Sequence, residues 1–239
     1  MDIEGVGIVG RGLTATGPLG SVFENIDLRV DPGSLAIVSG AAGSGRTSML
    51  LALSGRLRLI AGHLKVSGLV LPYRARTVRK LVVPARFSPG FDLEPQHRVH
   101  QVIRERRAIS KVSRDAIDDA LGLVGAEVRS SELTGDLHPA ERLLLAVALA
   151  AAEQPAGMLV DDVDHGLPAS SRERAWSALR GVAATGTTVL ASATEPPPDG
   201  DVKLIRLSPE SPEANETTSP LPPTTRILPR PYDQDEDAG

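Results

Sequence analysis

The sequence predicts an α/β fold in which helices cover a mainly parallel sheet. Short apolar runs typical of buried strands alternate with longer stretches whose apolar spacing is typical of helices. Turn signals rich in Gly, Pro and Asp separate several of these runs. Because parallel strands are joined by helical crossovers, the alternation favours a parallel sheet with helices on both faces. The chain has 239 residues, of which 41% are hydrophobic, so it can form a sizeable core.

The elements follow in order along the chain. A strand is predicted at Leu35–Ser39, after the turn signal Asp31-Pro32-Gly33, and a helix over Thr47–Leu59. The helix predicted at Ala140–Ala152 is preceded by Pro139, a residue favoured in the first helical position. The other predicted elements are strands at Gly157–Val160, Thr187–Ser192 and Val202–Leu207, and a helix at Ser170–Ala184.

The composition changes near residue 208, which divides the chain into a domain at 1–208 and a tail at 209–239. The tail has seven prolines and seven acidic residues against two arginines. Such a segment buries too little apolar surface to offset its ordering entropy, so we expect a disordered tail. A short partner-binding motif is the alternative interpretation, and in both cases the tail should be dispensable for ligand binding.

Composition excludes several classes of function. Cysteine is absent, which removes disulfides, thiolate zinc sites and cysteine nucleophiles. The net charge of −4 argues against a general nucleic-acid binder. The first residues lack a basic segment followed by an apolar one, so no signal peptide is expected. The longest apolar run, near Leu143–Ala152, is half the length of about 20 residues that a membrane span needs.

A glycine-rich loop between a strand and a helix carries the main functional signal. A strand is followed by a glycine-rich turn and then by a helix N-terminus, which is the order found in a P-loop. The backbone N–H groups of a P-loop surround phosphate oxygens. The predicted nucleotide-binding residues are Gly40, Ala41, Ala42, Gly43, Ser44, Gly45, Arg46, Thr47 and Ser48. Thr47 would offer its hydroxyl to Mg²⁺. The alternative is a glycine-rich turn that binds nothing.

Arg46 departs from the P-loop pattern, which has lysine at this position. Arginine keeps the positive charge and binds phosphate well. Its guanidinium is longer and planar, so it does not place a compact ammonium between the phosphates. We therefore expect nucleotide binding to survive better than hydrolysis.

In several stretches, taken in order, the sequence resembles the nucleotide-binding subunit of an ABC transporter. The resemblance covers about residues 5–208. It rests on the loop above and on Val22–Val30, Leu51–Gly68, Ala148–Asp162, Thr188–Glu195 and Asp201–Leu207. It implies an ABC-type P-loop NTPase fold, ATP and Mg²⁺ as cofactors, and a small helical subdomain at about residues 96–136.

The resemblance gives roles to two consecutive acidic residues. Asp161 takes the position of the Walker B aspartate, which with Thr47 would hold the metal. Asp162 takes the position of the glutamate that polarises the attacking water, and it is the candidate catalytic residue. Its carboxylate is one methylene shorter, which places it about 1–1.5 Å back and slows the reaction. A surface turn at a strand end is the alternative.

The remaining family motifs are altered. The signature loop has two candidates, Leu133–Asp136 by likeness and Leu137–Glu141 by spacing, and spacing favours the second. The Q-loop region, Val82–Ser88, contains no glutamine, and Gln96 and Gln101 are assigned to other elements. The switch histidine position is Thr194, and His165 is interpreted as a loop histidine.

The proposed helical subdomain contains two predicted helices, Val99–Ile109 and Ser113–Val124. In the family this part receives a cytoplasmic helix of the membrane subunit. Three arginines in the first helix form a basic cluster: Arg104, Arg106 and Arg107. A solvated face is the ordinary interpretation; a contact with lipid headgroups or with a partner's loop is the alternative.

Three functions are compatible with these features. The first is the ATP-binding subunit of an ABC transport system, which binds Mg·ATP, hydrolyses it weakly and acts on a separate transmembrane permease. It implies a homodimer or heterodimer of nucleotide-binding domains, located in the cytoplasm at the inner face of the membrane. The second is an ATP-binding regulatory or scaffold protein with little hydrolysis. The third, a different P-loop enzyme such as a small kinase, is the least supported, because no lid-like arginine cluster faces a substrate site.

Overall fold

The computed structural model describes residues 3–18, 20–87, 90–197 and 202–207, all within the unit Met1–Pro209. The predicted tail lies outside the described residues. The strands are β1 (Ile8–Gly17), β2 (Gly20–Val30), β3 (Leu35–Ser39), β4 (Ala61–Val66), β5 (Leu69–Leu71), β6 (Val82–Arg86), β7 (Gly157–Val160), β8 (Thr188–Ala193) and β9 (Lys203–Arg206). The helices are α1 (Arg46–Leu53), α2 (Ala75–Leu81), α3 (Val99–Ser110), α4 (Arg114–Val124), α5 (Pro139–Ala151) and α6 (Ala169–Ala184).

A five-stranded parallel sheet confirms the predicted fold class. Its strand order is β6-β7-β8-β3-β9, and every pairing within it is parallel. The strands predicted at Leu35–Ser39 and Gly157–Val160 have those bounds in the structure, and the other two differ by one residue at each end. Since β7, β8 and β3 are neighbours, the loops after their carboxyl ends lie side by side.

A second sheet was not predicted, although the family resemblance identified Val22–Val30, now part of β2, as a strand. It is antiparallel, with the order β2-β1-β4-β5. Register shifts interrupt both pairings of β1, and Gly12 within it has a φ of +59°. These bulges break the strict alternation of apolar and polar residues by which a half-buried strand is recognised.

Alternate residues of β3 face two different cores, because side chains alternate across a strand. Leu35 and Ile37 pack into a core that α5 and α6 share with α3 and α4. Ala36 and Val38 pack into a core shared with α1 and the antiparallel sheet. The parallel sheet is therefore covered by helices on one face and by a helix with a second sheet on the other.

The first helix is shorter than predicted. The sequence predicted it to continue to Leu59, but α1 ends at Leu53. Gly55 has a φ of +71°, the Arg56 N–H donates to the Leu51 carbonyl at 2.7 Å, and the Gly55 N–H donates to the Ala52 carbonyl at 3.0 Å. This bond pair is the Schellman motif, in which glycine ends a helix.

The other predicted helices form close to their expected bounds. Ser113 caps α4 by accepting a hydrogen bond from the Ala116 N–H at 3.0 Å, and Pro139 occupies the first turn of α5. Nine residues of α5 are buried, which is typical of a helix enclosed by other elements. Within the part of the chain that the structure describes, no helix is long and apolar enough to cross a membrane.

The predicted basic cluster on α3 is divided in the structure. Arg104 and Arg107 are exposed, as the solvated interpretation expects. Arg106 is not part of that surface: it forms an ion pair with Glu153 in which both side chains are less than 20% exposed (17% and 19%), and its guanidinium lies 5.8 Å from the Phe91 ring centroid. The prediction for Arg106 was wrong because its neighbours across the fold are invisible in the local charge pattern.

Arg106→Ala is expected to lower the free energy of unfolding by about 2 kcal/mol, because Glu153 would keep its burial and lose its charged partner. Urea unfolding measures this difference. Arg104→Ala, an exposed arginine on the same helix, is the matched control and should change stability by less than about 0.5 kcal/mol. Equal effects of the two substitutions would contradict a structural role for Arg106.

Candidate nucleotide-binding site

The predicted site residues converge at the carboxyl ends of three adjacent strands. The glycine-rich loop follows β3, Asp161 and Asp162 follow β7, and Thr194 follows β8. Their order in the sheet, β7-β8-β3, brings sequence segments more than one hundred residues apart into direct contact. A crevice at this edge of a parallel sheet is where α/β proteins bind ligands.

The loop leaves the first turn of α1 open to a ligand. Gly43 and Gly45 have φ values of +81° and +87°, a region that favours glycine. No side chain among the described residues caps α1, and its first intrahelical bond is donated by the Met49 N–H to the Gly45 carbonyl. The N–H groups of residues 45–48 are therefore available to an anion, which the helix dipole also favours.

Ser44 adds a polar group to this loop. Its hydroxyl is buried and has no hydrogen-bond partner among the described residues. The Ser44 N–H donates to the Ala41 carbonyl at 3.1 Å, which closes the turn. A buried hydroxyl without a partner is costly, and a phosphate oxygen in the loop is a chemically suitable acceptor for it.

Thr47 and Asp161, the predicted metal pair, are in direct contact. The Thr47 hydroxyl donates to Asp161 Oδ2 at 2.7 Å, and the Ser192 hydroxyl donates to Asp161 Oδ1. Asp161 is only 1% exposed. Hydrogen bonds thus hold both carboxylate oxygens of Asp161 in place. The bond from Thr47 connects Asp161 to the start of α1, directly after the glycine-rich loop.

Arg46 does not extend along the loop but crosses the site. Its Nη2 donates to Asp162 Oδ1 at 2.6 Å, and its Nη1 donates to Thr194 Oγ1 at 2.7 Å and to the Gly40 carbonyl. The Arg46 side chain is 10% exposed. One guanidinium therefore connects the glycine-rich loop with Asp162 and Thr194.

The Asp162 backbone is constrained as well. Its φ is +48°, a left-handed conformation that aspartate tolerates better than most residues. The Asp162 N–H donates to the Ser192 hydroxyl at 2.8 Å, so Ser192 bridges the two consecutive aspartates. Sequence reasoning missed Ser192, although its position two residues before Thr194 could have indicated it.

A second missed residue is Asp164. Its carboxylate accepts hydrogen bonds from the Thr194 N–H at 3.0 Å and from the Glu195 N–H at 2.7 Å. Glu195 also forms an ion pair with Arg172 on α6. These bonds fix the backbone of the Thr194 loop to the segment that follows Asp162.

The two signature-loop candidates differ in the structure. Thr134, in the candidate chosen by likeness, is fully buried and donates to the Glu94 carbonyl. In the candidate chosen by spacing, His138 is the N-cap of α5 and accepts a hydrogen bond from the Ala140 N–H at 3.3 Å. The helix N-terminus therefore belongs to Leu137–Glu141, the candidate that spacing favoured.

The Q-loop region contacts the site through its main chain. The Arg86 carbonyl, at the end of β6, accepts from the Asp161 N–H at 2.9 Å, which ties this region to the two aspartates. Gln101 caps α3, where its Oε1 accepts from the Arg98 N–H at 2.6 Å, so its assignment to another element is confirmed. His165 is exposed in a turn, as a loop histidine should be.

The residues present fit a nucleotide with its metal. Among the described residues no group of three or more His, Cys, Asp or Glu could hold a metal ion by itself. Mg²⁺ at phosphate sites uses few protein ligands and takes the others from phosphate and water. The adjacent oxygens of Thr47 and Asp161 fit that donor set. When bound, the ion neutralises charge on the phosphates.

Comparisons with solved structures show the fold. A putative ABC transporter ATP-binding protein from Pyrococcus furiosus is similar with a TM-score of 0.70 and 18% identity, over 84% of this chain and 97% of that one. The cbiO1 structure from Clostridium perfringens, described as part of the ABC transporter complex cbiONQ, has a TM-score of 0.68 and 17% identity, over 82% and 80%.

Sequence comparisons give the family. A Nod factor export ATP-binding protein I of Cupriavidus metallidurans is 29% identical over 174 residues, 71% of this chain and 56% of that protein. A putative ABC transporter ATP-binding protein of Streptomyces coelicolor is 27% identical over 70% of this chain and 30% of that protein. The chain thus spans about half the length, or less, of these relatives. The ABC transporter family model matches residues 23–164, more than half of the chain, and the chain therefore belongs to the ABC transporter family as an ATP-binding domain.

Proposed function

We propose that this protein is the ATP-binding subunit of an ABC transport system, that it binds Mg·ATP at residues 40–48, and that it hydrolyses the nucleotide slowly. The observation that carries the proposal is the open loop before α1, with the Thr47 hydroxyl 2.7 Å from Asp161 Oδ2. The backbone N–H groups and Ser44 would bind phosphate oxygens, and Thr47 with Asp161 would hold Mg²⁺.

Slow hydrolysis follows from the contact between Arg46 and Asp162. To polarise the attacking water, Asp162 must accept a hydrogen bond from it. One of the Asp162 carboxylate oxygens already accepts a hydrogen bond from Arg46 at 2.6 Å. The Arg46 guanidinium therefore competes with that water for the Asp162 carboxylate. Each loss of about 1.4 kcal/mol in transition-state stabilisation slows the reaction tenfold.

The same contact supports a second function, an ATP-binding regulatory or scaffold protein that does not turn ATP over. The two functions differ in their response to a membrane partner. The ATPase rate is to be measured with the isolated protein and with membranes that contain the permease. A rise of tenfold or more with the permease supports the transport subunit, and an unchanged, very low rate supports the regulatory protein.

A groove beside α3 is the surface that we assign to the permease. It has a volume of about 730 Å³, and its lining is part apolar, including Phe91, Leu93 and Val102, and part polar. Ile109 at its edge is 72% exposed, and the acidic Glu94 and Glu105 also line it. The apolar part of this lining suits the apolar face of an amphipathic helix.

Charge reversal at Arg104 and Arg107 is expected to release the protein from membranes that contain the permease, because both are exposed on the helix that borders the groove. Arg106 is left unchanged because of its ion pair with Glu153. Co-sedimentation with permease-containing and permease-free vesicles of neutral phosphatidylcholine measures the effect. The control, Arg29→Glu/Lys203→Glu, reverses two exposed charges outside residues 96–136. Equal binding of both variants and wild type would contradict docking at α3.

This role places the protein in the cytoplasm, at the inner face of the membrane, as a homodimer or heterodimer of nucleotide-binding domains. The His138 N-cap of α5 would then face the nucleotide of the partner domain. Because the loop Leu137–Glu141 contains no glycine, its backbone would approach a γ-phosphate less closely than a glycine-containing loop. This feature is a further reason to expect slow turnover.

A further inference from the structure

We propose that a small pocket at the carboxyl end of α1 binds the phosphate headgroup of an anionic phospholipid, so that this face of the protein contacts a membrane surface directly. The pocket has a volume of about 270 Å³ and lies between the loop after α1, β4 and the start of α2. Three arginines line it, Arg56, Arg58 and Arg79, and we call it the arginine pocket. It is separate from the nucleotide loop and from the groove beside α3.

The arginines of this pocket lack acidic partners. Among the residues that the structure describes, none of the three forms an ion pair. Arg56 is half-buried and donates only to the main-chain carbonyls of Ser54 at 3.3 Å and Arg79 at 3.4 Å. Burial, and then the like charge of Arg79, lower the pKa of Arg56. A desolvated cation beside a second cation is unfavourable until an anion joins them.

The charged side chains of the chain segment that contains the arginine pocket are all positive. Residues 32–91 contain no aspartate or glutamate and nine lysines and arginines. Arg76 and Lys80 are exposed on α2, on the side away from the buried Val78. The acidic residues that offset this segment lie elsewhere in the chain, so the net charge of −4 does not describe this surface. The positive field is local to the arginine pocket and its surroundings.

Exposed apolar side chains adjoin the same pocket. Ile60 lines it and is 62% exposed, and Tyr73, which follows the lining residue Pro72, is 87% exposed. A free phosphate ion would use the arginines but would give no role to these two side chains. A phospholipid surface uses both, since arginine binds phosphate in a bidentate manner and tyrosine is enriched at the membrane–water interface.

The test uses the full chain, without nucleotide or permease, and sedimentation with vesicles. One set is phosphatidylcholine alone, and the other contains about a third phosphatidylglycerol. Wild type is expected to bind the anionic vesicles and not the neutral ones. Arg56→Gln/Arg79→Gln should bind the anionic vesicles about 30-fold more weakly. Its thermal stability should not fall, because the substitution removes an unpaired, half-buried charge.

Two further variants make the result specific. Arg29→Gln/Arg114→Gln also removes two positive charges, but from exposed arginines that already have acidic partners. This variant should weaken binding to anionic vesicles less than threefold. Ile60→Ser/Tyr73→Ser keeps all charges and should still weaken binding to anionic vesicles. Because neither permease nor ATP is present, failure here leaves the proposed transport function untouched.

The proposal is overturned if wild type does not bind anionic vesicles, or if both arginine variants lose binding equally. Displacement from vesicles by inorganic phosphate, beyond the effect of equal ionic strength, would assign the pocket to a free phosphate ion instead. If wild type binds only membranes that contain the permease, and that binding requires Arg56 and Arg79, the occupant is an acidic protein segment and the lipid proposal is wrong.

Discussion

Gly45→Val is expected to abolish the binding of Mg·ATP. A Cβ atom at Gly45 would lie 2.6 Å from Val22 Cγ1 and 2.7 Å from the Val22 carbonyl oxygen, and the φ of +87° is strained for any L-residue. The strain costs on the order of 1–3 kcal/mol, and the clash with β2 forces the loop out of place. Wild type should bind Mg·ATP with a Kd between about 1 µM and 1 mM, and the variant at least about 100-fold more weakly. Isothermal titration calorimetry measures both.

A matched control separates loop geometry from general destabilisation. Gly68 has a φ of +77°, and a Cβ there would meet no atom within 4 Å. Gly68→Val therefore introduces similar backbone strain in the turn between β4 and β5, without a clash at the P-loop. It should retain wild-type affinity for ATP. If wild type gave no heat at millimolar ATP, or Gly45→Val bound as wild type does, the loop would not be the nucleotide site.

Steady-state hydrolysis by the isolated wild-type protein is expected to be at least about 100-fold below the usual enzyme rate of about 10 s⁻¹. Arg46→Lys should raise the hydrolysis rate, because lysine frees Asp162 and restores a compact ammonium. The rate stays unchanged if Thr194, at the switch histidine position, limits hydrolysis instead. Asp162→Glu alone should have little effect, since the longer carboxylate can still pair with Arg46.

The hydrolysis rate of the double variant Arg46→Lys/Asp162→Glu should rise by more than the product of the two single-variant rate changes. The reason is that the two side chains are in direct contact at 2.6 Å. Residues within one ion-pair network commonly couple by 0.5–3 kcal/mol. Phosphate release assays on the four proteins complete this double-mutant cycle. Strict additivity would show that the ion pair does not limit turnover, and a wild-type rate near 10 s⁻¹ would show that the altered positions are compensated.

Local sequence signals predicted four of the five strands of the parallel sheet and missed β6. The strands β3 and β7 have their predicted bounds because each is a short, fully buried apolar run with a clear turn signal at one end. The antiparallel sheet was missed because bulges and exposed residues disrupt the alternation in β1 and β2. The length of α1 was overestimated because the apolar spacing continues past Gly55, where the backbone turns.

The candidate site was predicted residue by residue but not as a network. Thr47 and Asp161 belong to motifs that can be read along the chain, and the structure places them in contact. The bonds of Arg46 to Asp162 and Thr194 span 116 and 148 residues, and no periodicity or spacing encodes such a contact. Ser192 and Asp164 act through hydrogen bonds to backbone N–H groups, which only the folded chain defines.

A single-turnover experiment tests whether this site binds Mg·ATP while the pairing of Arg46 with Asp162 slows its hydrolysis. Protein in excess is mixed with labelled Mg·ATP, and bound ATP and ADP are separated and quantified over time. The expectation is that wild type retains ATP, that Gly45→Val does not, and that the retained ATP is still mostly intact after the first second. Conversion of the bound ATP to ADP within the first second, or failure of wild type to retain ATP, would contradict it.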